Sequence, residues 1–566
     1  MNRFLIPFIL IPFHIFGQKV NPNKGITPTK TQIDKKKEND SQNALNNAPK
    51  AKNLTPVLSI KDLREGKADT SSVVYINDGP KSGIFKYNQK NNNSVDDSSM
   101  VITVGQRRYE REYQSIKPEY FGADPKDELD DGPAIQSALN AASKLGTKIV
   151  FSEGTYITSI TLIPKIVVPA PVYAYRLTLE GAGSGLSKII ANKEHDIFRI
   201  SKGQESFLGR ESDILIKDIY FDGNGKADYC INANHIAGFK IIDCKFTGAT
   251  KSNIKIGEGI SENFGIDIIR CYSGGRSVND AHNNAGIELI NCRYTYIDRL
   301  TTDGSKFGIL MNGSDKSFVT NCHIEGSKVA AISISGTGGG EHKISNNMLM
   351  PYVQYESSAK FDGEIFGIKI DGSKGGGVAN IIYGNICIVP DSLSLPFKTT
   401  LSIVNKTLRA HPSYIVTGNS SSARGYLLGY DSLNNRALIQ TISGKFQEHE
   451  KIKQSSTGGQ ATIGKITNAV SKGIMVSGSS DSNIISNNQI RLNPTIGIDL
   501  SSSNNVVSAN IIEANTGILK KEGFAILIGN IINSKNNIAL RNLGEKLELN
   551  ANQFNGKIIG VSPKNK

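Results

Sequence analysis

The stretch NNQIRLNPTIGIDLSSSNNVVSANIIEANTGILKKEGFAILIGNII, residues 487–532, decides the fold. Two short patterns alternate in it. Gly-Ile-x-apolar segments start at Gly497 and Gly517, and between them Asn488, Asn510 and Asn530 stand 22 and 20 residues apart. Working outward, the first pattern recurs at Gly286, Gly308, Gly367 and Gly473, with AISISG at Ala331 and NIKIGE at Asn253 in the same row. Its Ile287, Ile309 and Ile332 follow at 22 and 23 residues, and Ile474, Ile498, Ile518 and Ile538 at 24, 20 and 20. The second pattern adds Asn347, Asn385 and Asn552. Asn accepts left-handed backbone angles and bonds to nearby backbone, so it suits a tight corner used once per repeat. In coils stacked about 4.8 Å apart, each Asn reaches the next.

Strands of 4 to 6 residues, a period of 20 to 24 and Gly/Ser turns predict an all-β chain wound as a right-handed parallel β-helix, a solenoid. A sandwich would need hairpins with alternating register, and an α-solenoid needs helices that a chain with 56 Gly does not supply. Towards the N-terminus the Asn slot is taken by Cys244, Cys271 and Cys322, while Cys292 falls in a different corner. The six cysteines are therefore expected to be buried free thiols rather than a disulfide framework.

Of 566 residues, 38% are hydrophobic and 21% charged, enough to bury a core and too apolar for a wholly disordered chain. The formal charge of +13 invites a nucleic-acid reading. Residues 19–67, however, carry 11 Lys and Arg against 5 Asp and Glu, so about half the surplus sits in a polar tail. A linker explains that composition, and no nucleic-acid partner is expected. MNRFLIPFILIPFHIFG, residues 1–17, reads as a signal peptide, which predicts a secreted or periplasmic protein. No later apolar run reaches the roughly 18 residues of a membrane span, so no transmembrane anchor is expected. The expected order is signal peptide 1–17, disordered linker 18–69, β-rich lead-in 70–119, β-helix 120–394, inserted small β-domain 395–468, and β-helix again over 469–566. The insert is read from the break in period after Asn385 and from hairpin signals such as Leu433-Asn434-Asn435.

The segment YFGADPKDELDDGPAIQSALNAA, Tyr120 to Ala142, resembles the N-terminal cap of the pectate-lyase-like superfamily. There a Phe-Gly-Ala-Asp segment and an Asp pair precede a helix that covers the first coil. Ile135, Ala138 and Leu139 lie at helical spacing, and Asp130 and Asp131 stand where they would cap the helix. The preceding stretch is similar to lead-ins of phage tailspike-like and secreted bacterial proteins, which implies a monomer or a tailspike-like homotrimer. The Asn-Thr-Asp, Asp-Asp, Gly-His-Gly and Arg-Ile-Lys motifs of the pectinolytic hydrolases are missing from the groove region. Asp280-Ala281-His282 resembles the alginate epimerase Asp-Pro-His motif, with Ala281 in place of Pro.

In each Gly-Ile strand the residues between the inward Ile positions face out and form a long ladder, which suits a linear polysaccharide because successive sugars meet successive coils. The ladder carries Lys255, Glu288, Asn312, Lys369 and Asp371. The long turn before Glu288 brings Arg276, Asp280 and His282. Glycoside hydrolysis uses two carboxylates, so Asp280 with Glu288 is the first expectation, with Asp303 and Asp315 in reserve. A lyase acting on a uronate polymer needs a base and a cation, roles open to Lys255, Arg276 and His282. Arg276, Asn312, Lys369 and Asp371 are expected to bind substrate. A non-catalytic adhesin would use the same ladder for binding alone. Asp303 and Glu325 occupy equivalent turns 22 residues apart, a repetition that favours structural roles for both. No His/Cys cluster has zinc spacing, and DGNGKAD at Asp222 lacks the closing Glu of a calcium loop, so neither a metal nor a cofactor is expected.

Overall fold

The computed structural model describes residues 55–560 except 58, 68–72, 92, 165–176, 201–210, 260–262, 276–283, 337–339, 352–362, 374–378, 391–396, 406–407, 410–413, 432–434 and 545. Its body is a right-handed parallel β-helix whose coils run through three faces in turn. In one coil these are Thr301–Asp303, Phe307–Asn312 and Phe318–Thr320. The first and second faces form one 22-stranded sheet and the third a 13-stranded sheet. On the second face Ile231, Ile254, Ile287, Ile309, Ile332, Ile368, Ile474, Ile498 and Ile518 stack in parallel register, all shielded from solvent. Burial of each such side chain contributes about 1.5–3 kcal/mol, which is why the Gly-Ile row is so regular. The row ends differently from the sequence reading. Leu540, not Ile538, lies opposite Ile518, because the register shifts between Ala514 and Thr516.

The corner before the first face carries the expected ladder. Asn347, Asn385, Asn488, Asn510, Asn530 and Asn552 each accept from or donate to the next, with amide-to-amide distances of 2.8–3.0 Å. Cys322 extends it by donating its backbone N–H to Asn347 Oδ1 at 2.9 Å. A second ladder, unread in the sequence, runs through His342, Asn380, Asn483 and Asn505 at the corner before the third face. All six cysteines are buried and free. Burial pushes the Cys271, Cys292, Cys322 and Cys387 thiols up to about 12.

The helix Gly132–Leu145 closes the first coil, burying Ile135, Ala138, Leu139 and Ala142. Its Asp pair clamps the helix to the coil more than it caps it. Asp130 accepts from the Gly132 and Ser159 amides, whereas Asp131 accepts from the Asp124 and Ile157 amides and makes no side-chain cap. Burial raises the Asp131 carboxyl to about 6. The lead-in starts earlier than expected. Strand Thr55–Val57 and helix Ile60–Arg64 lie inside the stretch assigned to the linker and join a five-stranded sheet, because Ile60 and Leu63 complete its core. Arg111 ties this sheet to the cap. Its guanidinium lies 4.5 Å from the Phe85 ring and 4.1 Å from the Tyr120 ring, and donates to the Ser99, Ser82 and Lys81 carbonyls.

Between Ile388 and Val470 the chain leaves the solenoid and forms a closed antiparallel barrel of six strands, Phe397–Asn405 to Gln460–Ile463. The barrel has its own core, including Leu401, Val416, Leu427, Ile439 and Ile463. The coils on either side stack directly: Ile368 pairs with Ile474, and Asn385 donates to Asn488 across 103 residues of sequence.

Candidate functional site

The described coils turn from their first face to their second along one edge, where several ionisable groups stand. Upstream, a groove of about 440 Å³ runs from this edge across the second face around Tyr229, with Arg199, Lys251, Lys255, Asp196 and Asp228 among its lining. The ammonium groups of Lys251 and Lys255 lie 5.7 and 5.2 Å from the Tyr229 ring centre. Asp196, only 2% exposed, accepts from Arg199 Nε at 2.8 Å and Asn232 Nδ2 at 2.9 Å, which holds the groove floor. Burial pushes the Tyr229 phenol up to about 12, and the nearby Glu288, Asp196 and Asp228 carboxylates add to the shift. The chain has no Trp, and the lining of this groove includes the Tyr229 ring with both ammonium groups over it.

Further along the same edge stand Asp303 and Glu325. Strands Thr301–Asp303 and His323–Glu325 pair in register, with Thr302 opposite Ile324, so the two carboxyl-bearing residues stand side by side in successive coils, about 4.8 Å apart along the stack. Asp303 Oδ1 is buried without a hydrogen-bond partner among the described residues. Burial, and after it the Glu325 charge, raises the Asp303 carboxyl above its ordinary range. Gly326 makes the room: at φ +66° it has no Cβ, and an added one would sit 2.5 Å from Asp303 Oδ1. His323 Nε2 lies 3.5 Å from Glu325 Oε2. Burial also draws the Lys328 ammonium, on the same edge, down to about 8. Burial thus raises an acid and lowers a base on one edge of the coil stack.

The residues singled out in the sequence fall into several places. Lys255 and Glu288 do pair in adjacent coils. Glu288 accepts from Ser252 Oγ at 2.7 Å, and Lys255 lies 4.0 Å from Glu258. Arg276, Asp280 and His282 lie outside the described residues, between Gly275 and Asn284. Lys369 and Asp371 form a 3.9 Å ion pair three coils beyond Glu288, and Asn312 stands at the far end of its strand, opposite Ile290 and Ser335. Asp315 pairs with Arg293 at 3.3 Å, between the second and third faces. Asp303 and Glu325 stand in register one coil apart, as their 22-residue spacing implied. Lys328 repeats Lys306 at 22 residues, a spacing that reads as structural, and Tyr229 carried no sequence signal beyond its residue type.

Among the described residues no group of three or more His, Cys, Asp and Glu side chains is arranged to hold a metal. No described helix is long and apolar enough to cross a membrane. No protein-family model and no curated protein matches the chain. Among solved structures it is similar to the N-terminal fragment of gene product 12 of bacteriophage phi29, at 12% identity over 79% of this chain and 72% of that one, with a TM-score of 0.48. It is similar to the catalytic unit of a GH87 α-1,3-glucanase from Streptomyces thermodiastaticus, at 12% identity over 82% and 75% of the two chains, with a TM-score of 0.42. A third is the A-module of the mannuronan C-5 epimerase of Azotobacter vinelandii, at 12% identity over 79% and 99%, with a TM-score of 0.37. With scores of this size the architecture rests on the chain's own strand pairing, which is that of a parallel β-helix.

Proposed function

We propose that the chain is an exported polysaccharide-acting enzyme, a glycoside hydrolase whose substrate lies along the edge between the first and second faces. The Tyr229 groove holds one part of the polymer by stacking and by the cations of Arg199, Lys251 and Lys255. Two to three coils on, the Asp303 carboxyl donates its proton to the glycosidic oxygen, the bond to the anomeric carbon breaks, and Glu325 attacks that carbon from the other side. Asp303, now ionised, takes a proton from water, and that water releases the sugar from Glu325. Carboxyl groups about 5–5.5 Å apart perform this retaining sequence, and the strand spacing of about 4.8 Å between neighbouring coils supports such a separation. The observation that carries the reading is the in-register pair with Asp303 raised by burial and by Glu325.

The test is incubation with a panel of neutral and acidic polysaccharides. New reducing ends without unsaturation are expected, and Asp303→Asn and Glu325→Gln each lower turnover by at least about a hundredfold with the fold intact. A second reading is favoured by Lys328: unsaturated ends on uronate polymers would make the chain a lyase and move the base role to that lysine. Binding across the panel with no cleavage would overturn both in favour of an adhesin.

A further inference from the structure

The inserted barrel leaves the solenoid from the turn between first-face strand Ile386–Ile388 and second-face strand Val470–Gly478. That turn belongs to the edge that carries Asp303 and Glu325, two coils beyond Glu325, or about 10 Å along the stack. Leu428 and Leu438 of the barrel pack into the hydrophobic cluster of the β-helix, so the barrel is seated rather than tethered. Beside this seam opens a pocket of about 320 Å³. Three cations line it, brought from distant points of the chain: Lys398, Arg436 and Lys465, together with Thr400, Thr467 and Leu438. Strand pairing fixes them, since Thr400 lies opposite Arg436, Lys398 opposite Leu438, and Lys398 and Thr467 exchange backbone hydrogen bonds at 2.9 and 2.8 Å.

Among the described residues no carboxylate lines the pocket. Glu448, next to it in space, is engaged by the Ile466 amide at 2.8 Å. Asp431 faces Arg436 across the strand pair, and its side chain lies outside the described residues. Among the described residues neither Arg436 nor Lys465 forms an ion pair. A guanidinium fork, two ammonium groups and threonine hydroxyls converging on a half-open pocket match a bound oxyanion.

We infer that the barrel carries an anion-binding subsite that takes the carboxylate or sulfate groups of an acidic polysaccharide running along the catalytic edge. The inference rests on the polysaccharide-acting reading and deepens it by naming an acidic polymer. The two cationic stations, around Tyr229 and in the barrel, lie on either side of Asp303 and Glu325, so a polymer held at both is drawn across them.

The experiment uses the full chain with Asp303→Asn as background, so that nothing is cut while binding is measured. Affinity electrophoresis is run against a polyuronate, a sulfated polysaccharide and a neutral glucan, with and without Arg436→Ala/Lys465→Ala. The double variant is expected to bind the acidic polymers at least about tenfold more weakly and the neutral one unchanged. Loss on the polyuronate alone identifies a carboxylate ligand, and loss on the sulfated polymer alone a sulfate. Arg436→Glu/Lys465→Glu should weaken acidic binding further, with an unaltered melting temperature showing the barrel intact. Equal affinity for acidic polymers in all three proteins would overturn the inference. Because cleavage is not read here, failure of the hydrolase reading would leave this result standing.

Discussion

His342 allows a stability prediction whose size follows from its surroundings. The residue takes one rung of the second corner ladder: its backbone N–H donates to Asn380 Oδ1 at 3.1 Å, and its Nδ1 accepts from the Ser317 amide at 3.3 Å. It is 1% exposed, and Nε2 has no partner among the described residues. Burial therefore lowers the imidazole from 6.5 to about 4. In the unfolded chain the same ring protonates near its ordinary value. Above about pH 6.5 both states hold it neutral and it has no effect. As pH falls towards 4 only the unfolded state gains the proton, so stability is lost across that window and the loss levels off below it. A difference of about 2.5 units at about 1.36 kcal/mol each gives a loss on the order of 3 kcal/mol. Carboxylates titrate in the same range, so the readout is a comparison with His342→Asn. That variant removes the titration and supplies an amide able to donate to Asn380 as Asn380 donates to Asn483. Guanidinium unfolding of both proteins at pH 7, 5.5 and 4 should show the native chain losing about 3 kcal/mol more than the variant. An equal loss in the two, within about 0.5 kcal/mol, would mean that the folded state protonates the ring readily and would refute the argument.

Other consequences are as direct. With every thiol buried and raised, a disulfide reagent such as Ellman's should find less than one reactive cysteine in the native protein and six after denaturation. Asn488→Ala strips the acceptor from the Asn385 amide groups and the donor from the Ile382 carbonyl, all buried, and should cost about 3 kcal/mol by denaturant titration; Asn552→Ala, on the more open last coil, should cost about 1 kcal/mol or less. Arg111→Ala leaves three carbonyls without their donor and should loosen the lead-in first, seen as cleavage before residue 120 under limited proteolysis while the β-helix resists. Gly326→Ala adds about 1 kcal/mol of backbone strain and displaces the Asp303 carboxyl, so turnover should fall much more than melting temperature.

The Gly-Ile row and the first Asn corner were legible because both are local rules. An Ile every coil on the inside, and an Asn at each tight bend, repeat at the period of the winding itself, so aligning short segments recovers the architecture. The cap helix was legible for the same reason, through Ile135, Ala138 and Leu139. Even here the sequence had blind spots. The second ladder mixes His342 with Asn380, Asn483 and Asn505 and is interrupted by the barrel, so it shows no single spacing. Ile538 keeps the arithmetic of the row but loses its place to Leu540 at a bulge.

The sequence by itself determined the winding, because periodic burial and corner hydrogen bonding act between residues one coil apart and leave their spacing in the chain. Which carboxylates meet, and what they meet, was decided only by stacking. Asp303 and Glu325 look like two copies of one structural turn until the coils close up and bury Asp303 beside Glu325's charge. The barrel looks like an interruption until its departure point proves to lie on the same edge. The pKa of a carboxyl and the lining of a groove depend on solvent exclusion and on charges a few ångströms away, and neither exists before residues far apart in sequence are brought onto one edge.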